Sequence, residues 1–337
     1  MQTSCPSPSL FFDTINAFQR TQALRAAIEI DLFTPLAAEA RTAGELASAC
    51  NVSERGVRIL ADYMTILGFL SKSGERYVLT PDSAMFLDRN SPAYLGGTLQ
   101  FLLTPSLTEC FTQLTSAVRR GGTAVSDEGT VSHDNPIWVD FARAMAPLMH
   151  LPAQLLVGLI GGDLSQPLRV LDVAAGHGLF GIMVAKQFPH AQVTAMDWQN
   201  VLTVAHENAC RAGVQDRHHL KPGSAFHTDW GGPYDVVLLT NFFHHFDLPT
   251  CEQIARRAHA ALVPGGRAIT LEFIPNEDRI SPPNSAAFAL TMLATTAHGD
   301  AYPFREYDRL FTAAGFSRSE FHSLPPTMQQ AVISYRD

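Results

Sequence analysis

The sequence predicts an α/β fold in which a mostly parallel sheet follows a mainly helical N-terminal domain. After Leu168, short apolar runs such as LRVLDVAA and YDVVLLTNFF alternate with helical patterns. Near-continuous apolar runs of this length are typical of strands buried on both faces of a parallel sheet. Before that point the apolar spacing is helical, apart from one short hairpin pattern. At 337 residues, the chain is also long enough for two separate cores.

The N-terminal region has the element order of a winged helix. Apolar residues recur at helical spacing over residues 13–40, which predicts one amphipathic helix that closes near Pro35. Thr42 and Ser53 are then in the position of N-cap residues for two further helices. Gly74 lies in a turn between two short strands. The order helix, helix, hairpin therefore predicts a winged helix.

Charge decides between the two usual roles of a winged helix, DNA binding and oligomerisation. Residues 13–89 contain ten Asp or Glu residues and eight Lys or Arg residues. A recognition helix needs a basic face, but Arg55 and Arg58 share theirs with two acidic residues. The whole chain carries a net charge of −8, which repels nucleic acid. We expect an oligomerisation domain and no nucleic acid partner, with a DNA-binding regulator as the less favoured alternative.

A long apolar stretch joins the two regions. Residues 137–160 have helical spacing, and Pro147 and Pro152 predict two interruptions of this helix. We expect it to bridge the domains. The predicted organisation has three parts: residues 1–100 form the winged-helix domain, residues 101–160 form a helical linker, and residues 161–337 form the cofactor-binding domain.

The composition predicts a cytoplasmic protein. Hydrophobic residues make up 46% of the chain and charged residues 17%, which suits a large buried core. We find no apolar run of the roughly 18 to 20 residues that a membrane span needs, and no basic segment followed by an apolar stretch at the N-terminus. The five cysteines are far apart, without a CxxC pair or a histidine at metal-ligand spacing. We therefore expect reduced thiols, no metal site and no membrane partner.

A glycine-containing loop follows the first strand of the sheet. The pattern Gly176-x-Gly178-x-x-Gly181 also fits the dinucleotide loop of a dehydrogenase. However, a carboxylate such as Asp172 repels a pyrophosphate and attracts the cationic amino and sulfonium groups of S-adenosylmethionine (SAM). Asp197, at the end of the next strand, can accept hydrogen bonds from both ribose hydroxyls. The loop therefore favours SAM over NAD.

These motifs resemble those of the class I SAM-dependent O-methyltransferases of the caffeic acid and hydroxyindole type. The similarity extends from about Phe12 to Ser334. It implies a Rossmann-like, mostly parallel, seven-stranded SAM-methyltransferase sheet preceded by a winged-helix dimerisation domain. It also implies a homodimer, in which the N-terminal helix that bears Phe18 reaches into the partner's site.

The resemblance assigns the residues that contact SAM. The DVAAGHG loop would carry the methionine part, Asp197 the ribose, and Trp198 with Phe226 the adenine; plain core packing is the alternative for these two aromatic residues. Plant enzymes often have Gly-Asp where this chain has Gly223-Ser224, so Ser224 would replace that carboxylate. The complete predicted set is Asp172, Gly176, Gly178, Asp197, Trp198, Ser224, Phe226 and Asn241.

The catalytic residues follow from two strand ends. The fourth strand ends in TNFFHHFD, where open α/β folds bind ligands. In the resembling family the first histidine of a similar H-D-W motif is the general base, which implies His244, with His245 in the place of the aspartate. A glutamate that holds the base corresponds to Glu272, whereas Ala301 stands where plant enzymes have a second glutamate. The alternative for His244 is a structural histidine.

The acceptor pocket is predicted from two apolar helices. Methionine and aromatic residues at helical spacing are as consistent with core as with a pocket, but as a pocket they would suit a flat ring. The candidate residues are Phe141, Met145, Met149, Phe288 and Met292. We expect methyl transfer to a small, largely aromatic acceptor. Because the second glutamate is missing, pericyclic, hydroxylating or decarboxylating chemistry with bound SAM is the alternative.

Overall fold

The computed structural model describes residues 6–127, 129 and 137–337. The chain divides into two compact units, Met1–Leu99 and Gln100–Asp337. This boundary lies next to the predicted limit at residue 100. The segment predicted as a separate linker, residues 101–160, groups with the second unit.

The first unit contains the predicted helix, helix, hairpin order. Its elements are α1 Ser9–Ile15, α2 Ala17–Glu29, α3 Thr34–Ala38, α4 Ala43–Cys50, α5 Glu54–Ile66, β1 Leu70–Ser73, β2 Arg76–Leu79 and α6 Pro81–Phe86. The prediction of one helix over residues 13–40 is wrong. The chain leaves the helix after Glu29, and Asp31 adopts a left-handed φ of 58°. Pro35 lies in the first turn of α3 instead of ending a helix, because a proline in the first turn loses no helical hydrogen bond.

Local capping and a small core stabilise this unit. Thr42 and Glu45 form a capping box at the start of α4, and the Ser53 hydroxyl accepts the Gly56 N–H at the start of α5. Leu46, Met64 and other buried residues pack between these helices and the hairpin. The helix α1, by contrast, buries none of its residues. Large apolar side chains on α1 and α2 that are more than half exposed are Leu10, Phe11, Phe12, Ile15 and Phe18.

The second unit is a seven-stranded α/β domain, as predicted. The short helix α7, Leu99–Leu102, begins at the last residue of the first unit. The further helices of the second unit are α8 Pro105–Thr112, α9 Leu114–Arg120, α10 Ile137–Ile160, α11 Leu179–Gln187, α12 Gln199–Ala212, α13 Leu248–Ala261, α14 Pro283–Thr295 and α15 Phe304–Ala313. Its strands are β3 Leu168–Val173, β4 Ala191–Asp197, β5 His218–Pro222, β6 Tyr234–Thr240, β7 Leu262–Glu272, β8 Arg318–Ser323 and β9 Gln330–Tyr335. The strand order is β5-β4-β3-β6-β7-β9-β8, and β9 runs antiparallel to both of its neighbours.

Helices cover both faces of this sheet. Val170 and Val236 point to the face that packs against α10 and α11, whereas Leu171 and Val237 point to the face covered by α13 and α15. Successive strands are added outward from β3 in one direction and from β6 in the other. In open α/β sheets, ligands bind at the carboxyl ends of the strands beside such a switch point. The fold therefore predicts a ligand site at the residues that follow β3 and β6.

The helix α10 continues through both of its prolines, so the predicted interruptions are wrong. A proline inside a helix costs about 3 kcal/mol, whereas full burial of a large aliphatic side chain contributes about 1.5–3 kcal/mol. Nine residues of α10 are buried, including Leu156 and Ile160, which is enough to outweigh the two prolines. By length and composition alone α10 could span a membrane, contrary to our expectation. Because it packs against α11 and α12, we identify it as a core helix.

Candidate active site

The loop after β3 leaves space on one side and packs tightly on the other. Ala174, Gly176 and Gly178 all have left-handed φ angles, of 53°, 57° and 73°. A Cβ atom at Gly178 would lie 2.9 Å from the Cβ of Ala205, so this glycine lets α11 approach α12. A Cβ atom at Gly176 would meet one atom within 4 Å, the carbonyl oxygen of Ala174 at 3.9 Å. The Gly176 side of the loop can therefore admit a ligand.

Asp172 is a buried carboxyl group with one free oxygen. Its side chain is fully buried, and its Oδ2 accepts the Gly181 N–H at 3.0 Å. Its Oδ1 has no hydrogen-bond partner within the described part of the chain. Burial raises the pKa of Asp172 to about 8, against the opposing effect of the Gly181 N–H. Such a group is suited to a cationic ligand, which would favour the ionised carboxylate.

Asp197 fastens the loop to the end of β4. Its Oδ2 accepts the Gly176 N–H at 2.8 Å, and its Oδ1 accepts the Trp198 N–H at 2.6 Å. Burial raises its pKa to about 6, and these two hydrogen bonds oppose that rise. Each carboxylate oxygen keeps a second lone pair, so Asp197 can still accept hydrogen bonds from a ligand.

The two predicted adenine contacts lie at adjacent strand ends but in different clusters. Trp198 packs against residues of α10 and α12, and Phe226 packs edge to face against Phe246 at 5.2 Å. The strand ends are joined by a hydrogen bond from Gly223 N to the Asp197 carbonyl, 2.9 Å long. The Ser224 hydroxyl accepts the N–H of Phe226 at 3.1 Å, which leaves its own proton available.

Asn241 shapes the turn after β6. It adopts a left-handed φ of 53°, a conformation that asparagine tolerates better than most residues. Its amide nitrogen lies 3.5 Å from the Met149 sulfur, and its oxygen accepts a hydrogen bond from the Gln329 amide. The sequence did not indicate Gln329, because it is distant along the chain and lies just before β9. Both polar ends of Asn241 thus have protein partners.

The turn places His244 against Glu272. His244 Nδ1 lies 2.5 Å from Glu272 Oε2, and both side chains are buried. The other oxygen of Glu272, Oε1, accepts two backbone N–H groups, from Phe242 and Phe243, each at 2.8 Å. Glu272 therefore has three hydrogen-bond partners on the turn after β6. With Nδ1–H donated to Glu272, the Nε2 of neutral His244 is free to accept a proton.

His245 extends the site as a second, uncharged imidazole. Its ring centroid lies 4.2 Å from that of His244 and 5.1 Å from that of Trp138. Burial, followed by the neighbouring His244, lowers the pKa of His245 well below its usual range. His245 is therefore neutral at pH 7. Sequence reasoning missed Trp138, whose position on α10 alone does not show that it reaches this turn.

The predicted acceptor residues differ in how directly they contact the turn that carries His244. Phe288 packs edge to face on His244 at 4.9 Å, and Phe141 packs edge to face on Trp138 at 5.6 Å. Met149 contacts the turn through Asn241. The remaining two candidates, Met145 on α10 and Met292 on α14, are buried one helical turn away on the same helix faces.

Both units match family models of known proteins. Residues 114–317 match the O-methyltransferase domain, and residues 12–89 match the O-methyltransferase dimerisation domain. The first match alone covers more than half of the chain.

The chain belongs to the O-methyltransferase family.

Individual proteins agree with this assignment. A Nostoc punctiforme protein whose crystal structure is described as that of an O-methyltransferase is 52% identical, with a TM-score of 0.95 and coverage of 98% of this chain and 100% of that one. The tetracenomycin polyketide synthesis 8-O-methyltransferase TcmO of Streptomyces glaucescens is 29% identical over 305 residues, 89% of each protein. Human N-acetylserotonin methyltransferase, solved with SAM, is similar in fold at 22% identity and a TM-score of 0.85 over 100% of this chain and 99% of that one.

As a member of this family, the protein is an enzyme that uses SAM. Nothing in these comparisons favours either alternative, non-methylating chemistry or a DNA-binding regulator. Within the described ranges, no group of three or more His, Cys, Asp or Glu residues is placed to hold a metal ion.

Proposed function

We propose that this O-methyltransferase methylates a hydroxyl group of a small aromatic acceptor, with His244 as the general base and Glu272 as its orienting partner. One observation carries the proposal: Glu272 is held by two backbone N–H groups and lies 2.5 Å from His244 Nδ1. The bound SAM supplies an electrophilic methyl group. The protein must remove the acceptor's proton and hold its oxygen in line with that methyl group.

The residues around the β3 loop fit SAM. The free oxygen of Asp172 suits a cationic group, the open side of Gly176 gives room, and Asp197 retains acceptor capacity for hydroxyls. We propose that these three residues contact SAM directly, together with Trp198, Ser224 and Phe226. Gly178 packs against α12, and both polar ends of Asn241 have protein partners. We therefore propose that these two residues fix the shape of the loops around SAM without contacting it.

The energies of proton transfer are compatible with a histidine base. A phenol has a pKa of about 10 and an imidazole one of about 6.5, so complete transfer would cost about 5 kcal/mol. The carboxylate of Glu272 stabilises the imidazolium and reduces this cost. Holding acceptor and methyl group in line can contribute about 7–11 kcal/mol. Positioning should therefore matter more than the base, although both are needed.

The proposed acceptor is aromatic because the side chains around His244 are. Phe288 lies on the base itself, with Phe273 stacked on it at 4.0 Å. We propose that Phe141, Met145, Met149, Phe288 and Met292 contribute the apolar walls of the acceptor site. A relative of Streptomyces sahachiroi, named 3-hydroxy-5-methyl-1-naphthoate 3-O-methyltransferase, supports an aromatic acceptor because a naphthoate is aromatic.

The proposal is tested by incubating the enzyme with methyl-labelled SAM and a panel of small phenols and hydroxylated heterocycles. We expect S-adenosylhomocysteine and a methyl ether to form in equal amounts. Preferred transfer to nitrogen or carbon, or turnover of an accepted compound without S-adenosylhomocysteine, would contradict O-methylation.

The raised pKa of the Asp172 carboxyl predicts that the free energy of unfolding depends on pH. Its pKa of about 8 in the ligand-free fold lies above its ordinary value of 3.8, so the folded state keeps a proton that the unfolded state has lost. The free energy of unfolding must then fall as pH rises from about 4 to about 8. Between pH 6 and 9 we expect a loss of about 2–3 kcal/mol. Asp172→Asn should remove this loss because an amide does not titrate, and its side-chain oxygen can still accept the Gly181 N–H.

SAM affinity should change in the opposite sense. Because the cations of SAM favour the ionised carboxylate, wild-type affinity should increase towards pH 8, whereas that of Asp172→Asn should be weaker and less dependent on pH. Denaturant unfolding and calorimetry at four pH values measure both effects. Equal pH slopes in the two proteins would show that Asp172 is not the titrating group.

We propose that the enzyme is a homodimer formed through its first unit. Residues 12–89 match a dimerisation domain, and the helix α1 exposes most of its apolar surface. Leu10 and Phe18 are 79% and 64% exposed, an unfavourable state for large apolar groups in a monomer. Phe18 would then reach the partner's site. Sedimentation equilibrium should give twice the chain mass, and a monomer at micromolar concentration would refute the proposal.

We also propose a cytoplasmic location. The net charge of −8 and the burial of α10 within the second unit support it. Fractionation of the producing cell should place the activity with the soluble cytoplasmic enzymes, and recovery with the membrane would contradict this.

A further inference from the structure

His177 is a fixed imidazole inside the candidate cofactor loop. It lies between Gly176 and Gly178 and is 3% exposed. Its Nδ1 accepts the N–H of Leu179 at 3.2 Å, which satisfies one of the unpaired donors at the start of α11. Its ring is nearly parallel to that of Phe141, with 6.5 Å between the centroids. These contacts hold the ring in one orientation.

The hydrogen bond to Leu179 determines which nitrogen carries the proton. An imidazole nitrogen that accepts an N–H is unprotonated, so the proton of neutral His177 is on Nε2. Burial lowers the pKa of His177 to about 4, so the ring is neutral at pH 7. Among the residues that the structure describes, Nε2 has no hydrogen-bond partner. The loop therefore presents an unused N–H donor.

The charge of the loop indicates which group of a ligand this N–H donor would bind. Residues 172–181 contain an aspartate but no lysine or arginine, and His177 is their single side chain that can donate a hydrogen bond in its neutral form, apart from a protonated Asp172. SAM carries two cationic groups and one anionic group, its carboxylate. When the cationic groups of SAM are bound and Asp172 is ionised, Asp172 and Asp197 repel an anion, so the carboxylate needs a donor that compensates for them.

We propose that the Nε2–H of His177 donates a hydrogen bond to the carboxylate of bound SAM. This inference rests on the proposed SAM site at the β3 loop and adds the residue that recognises the amino-acid end of the cofactor. His177 then has two functions: Nδ1 caps α11 and Nε2 holds the ligand.

Two substitutions separate these functions. In His177→Asn, the side-chain oxygen can still accept the Leu179 N–H, but no group replaces Nε2–H. In His177→Gln, the longer amide can replace the Nε2–H donor, but the cap is lost. The ligands are SAM and decarboxylated SAM, which lacks only the carboxylate, and binding is measured by calorimetry on the full-length protein.

We expect His177→Asn to weaken SAM binding by about 10- to 100-fold, as expected for a lost hydrogen bond to a charged group. Its affinity for decarboxylated SAM should stay within about twofold of that of the wild type. His177→Gln should recover part of the preference for SAM. His190→Asn, a matched change at an exposed histidine beyond α11, should alter neither affinity.

An equal loss for both ligands in His177→Asn would overturn the proposal, because it would show that His177 only supports the loop. Unchanged SAM affinity would overturn it as well. Failure of the wild-type protein to bind either ligand would instead contradict the proposed SAM site. A denaturant unfolding curve for each variant shows whether its fold is intact before binding is compared.

Discussion

Replacing His244 by alanine is expected to lower kcat by about 100- to 10,000-fold, the usual contribution of a general base. SAM affinity should stay within about twofold, because the proposed cofactor contacts lie at or just after the ends of β3, β4 and β5, whereas His244 follows β6. Steady-state kinetics with an accepted phenol and calorimetry with SAM measure the two quantities. The contrast between them is the expected signature of a base that does not hold the cofactor.

The pH profile distinguishes a base from a merely structural histidine. Because an ionised acceptor needs no base, the residual rate of His244→Ala should rise with pH more steeply than the wild-type rate as more acceptor is ionised. His219→Ala, at an exposed histidine on the edge strand β5, is the matched control and should behave as the wild type. Wild-type turnover in His244→Ala would refute the assignment.

Glu272→Gln is expected to reduce kcat by about 1,000- to 10,000-fold while preserving the fold. The glutamine oxygen can still accept the N–H groups of Phe242 and Phe243, which Glu272 Oε1 accepts. Its amide nitrogen then faces His244 Nδ1 and donates to it. This moves the imidazole proton to Nε2, so His244 can no longer accept a proton from the acceptor. Glu272→Gln should therefore lose activity because His244 is held in the wrong tautomer, and not because the fold is less stable.

Glu272→Leu provides the comparison. It leaves two buried backbone N–H groups without an acceptor, at about 1–3 kcal/mol each, so its free energy of unfolding should fall by several kcal/mol. Denaturant unfolding together with kcat separates the two variants. If Glu272→Gln kept more than about a tenth of wild-type turnover, the orienting role proposed for Glu272 would be wrong.

Much of this arrangement could be predicted because it depends on local patterns. Apolar runs specify parallel strands, and the carboxyl ends of neighbouring parallel strands meet at one edge of the sheet. His244 and Glu272 end up in contact for that reason, since β6 pairs with β7 and each residue lies at or just after a strand end.

The remaining features depend on long-range contacts or on single backbone angles. The left-handed conformation of Asn241 aims two N–H groups at Glu272, and its partner Gln329 comes from a distant segment. The break after Glu29 results from one turn at Asp31, which apolar periodicity does not detect. The continuity of α10 through two prolines is decided by burial, which becomes visible when the packed neighbours are known.

The support of Glu272 also bears on how new specificities can arise. Its hydrogen bonds come from the turn that follows β6, whereas the proposed acceptor walls come from the separate helices α10 and α14. Apart from Phe288, which packs on His244, and Met149, which contacts Asn241, substitutions on those helices can reshape the compartment for the ring without altering the contact between His244 and Glu272. Diversification of substrates, by natural selection or in the laboratory, can therefore proceed by altering the helical walls while the reactive centre is inherited unchanged.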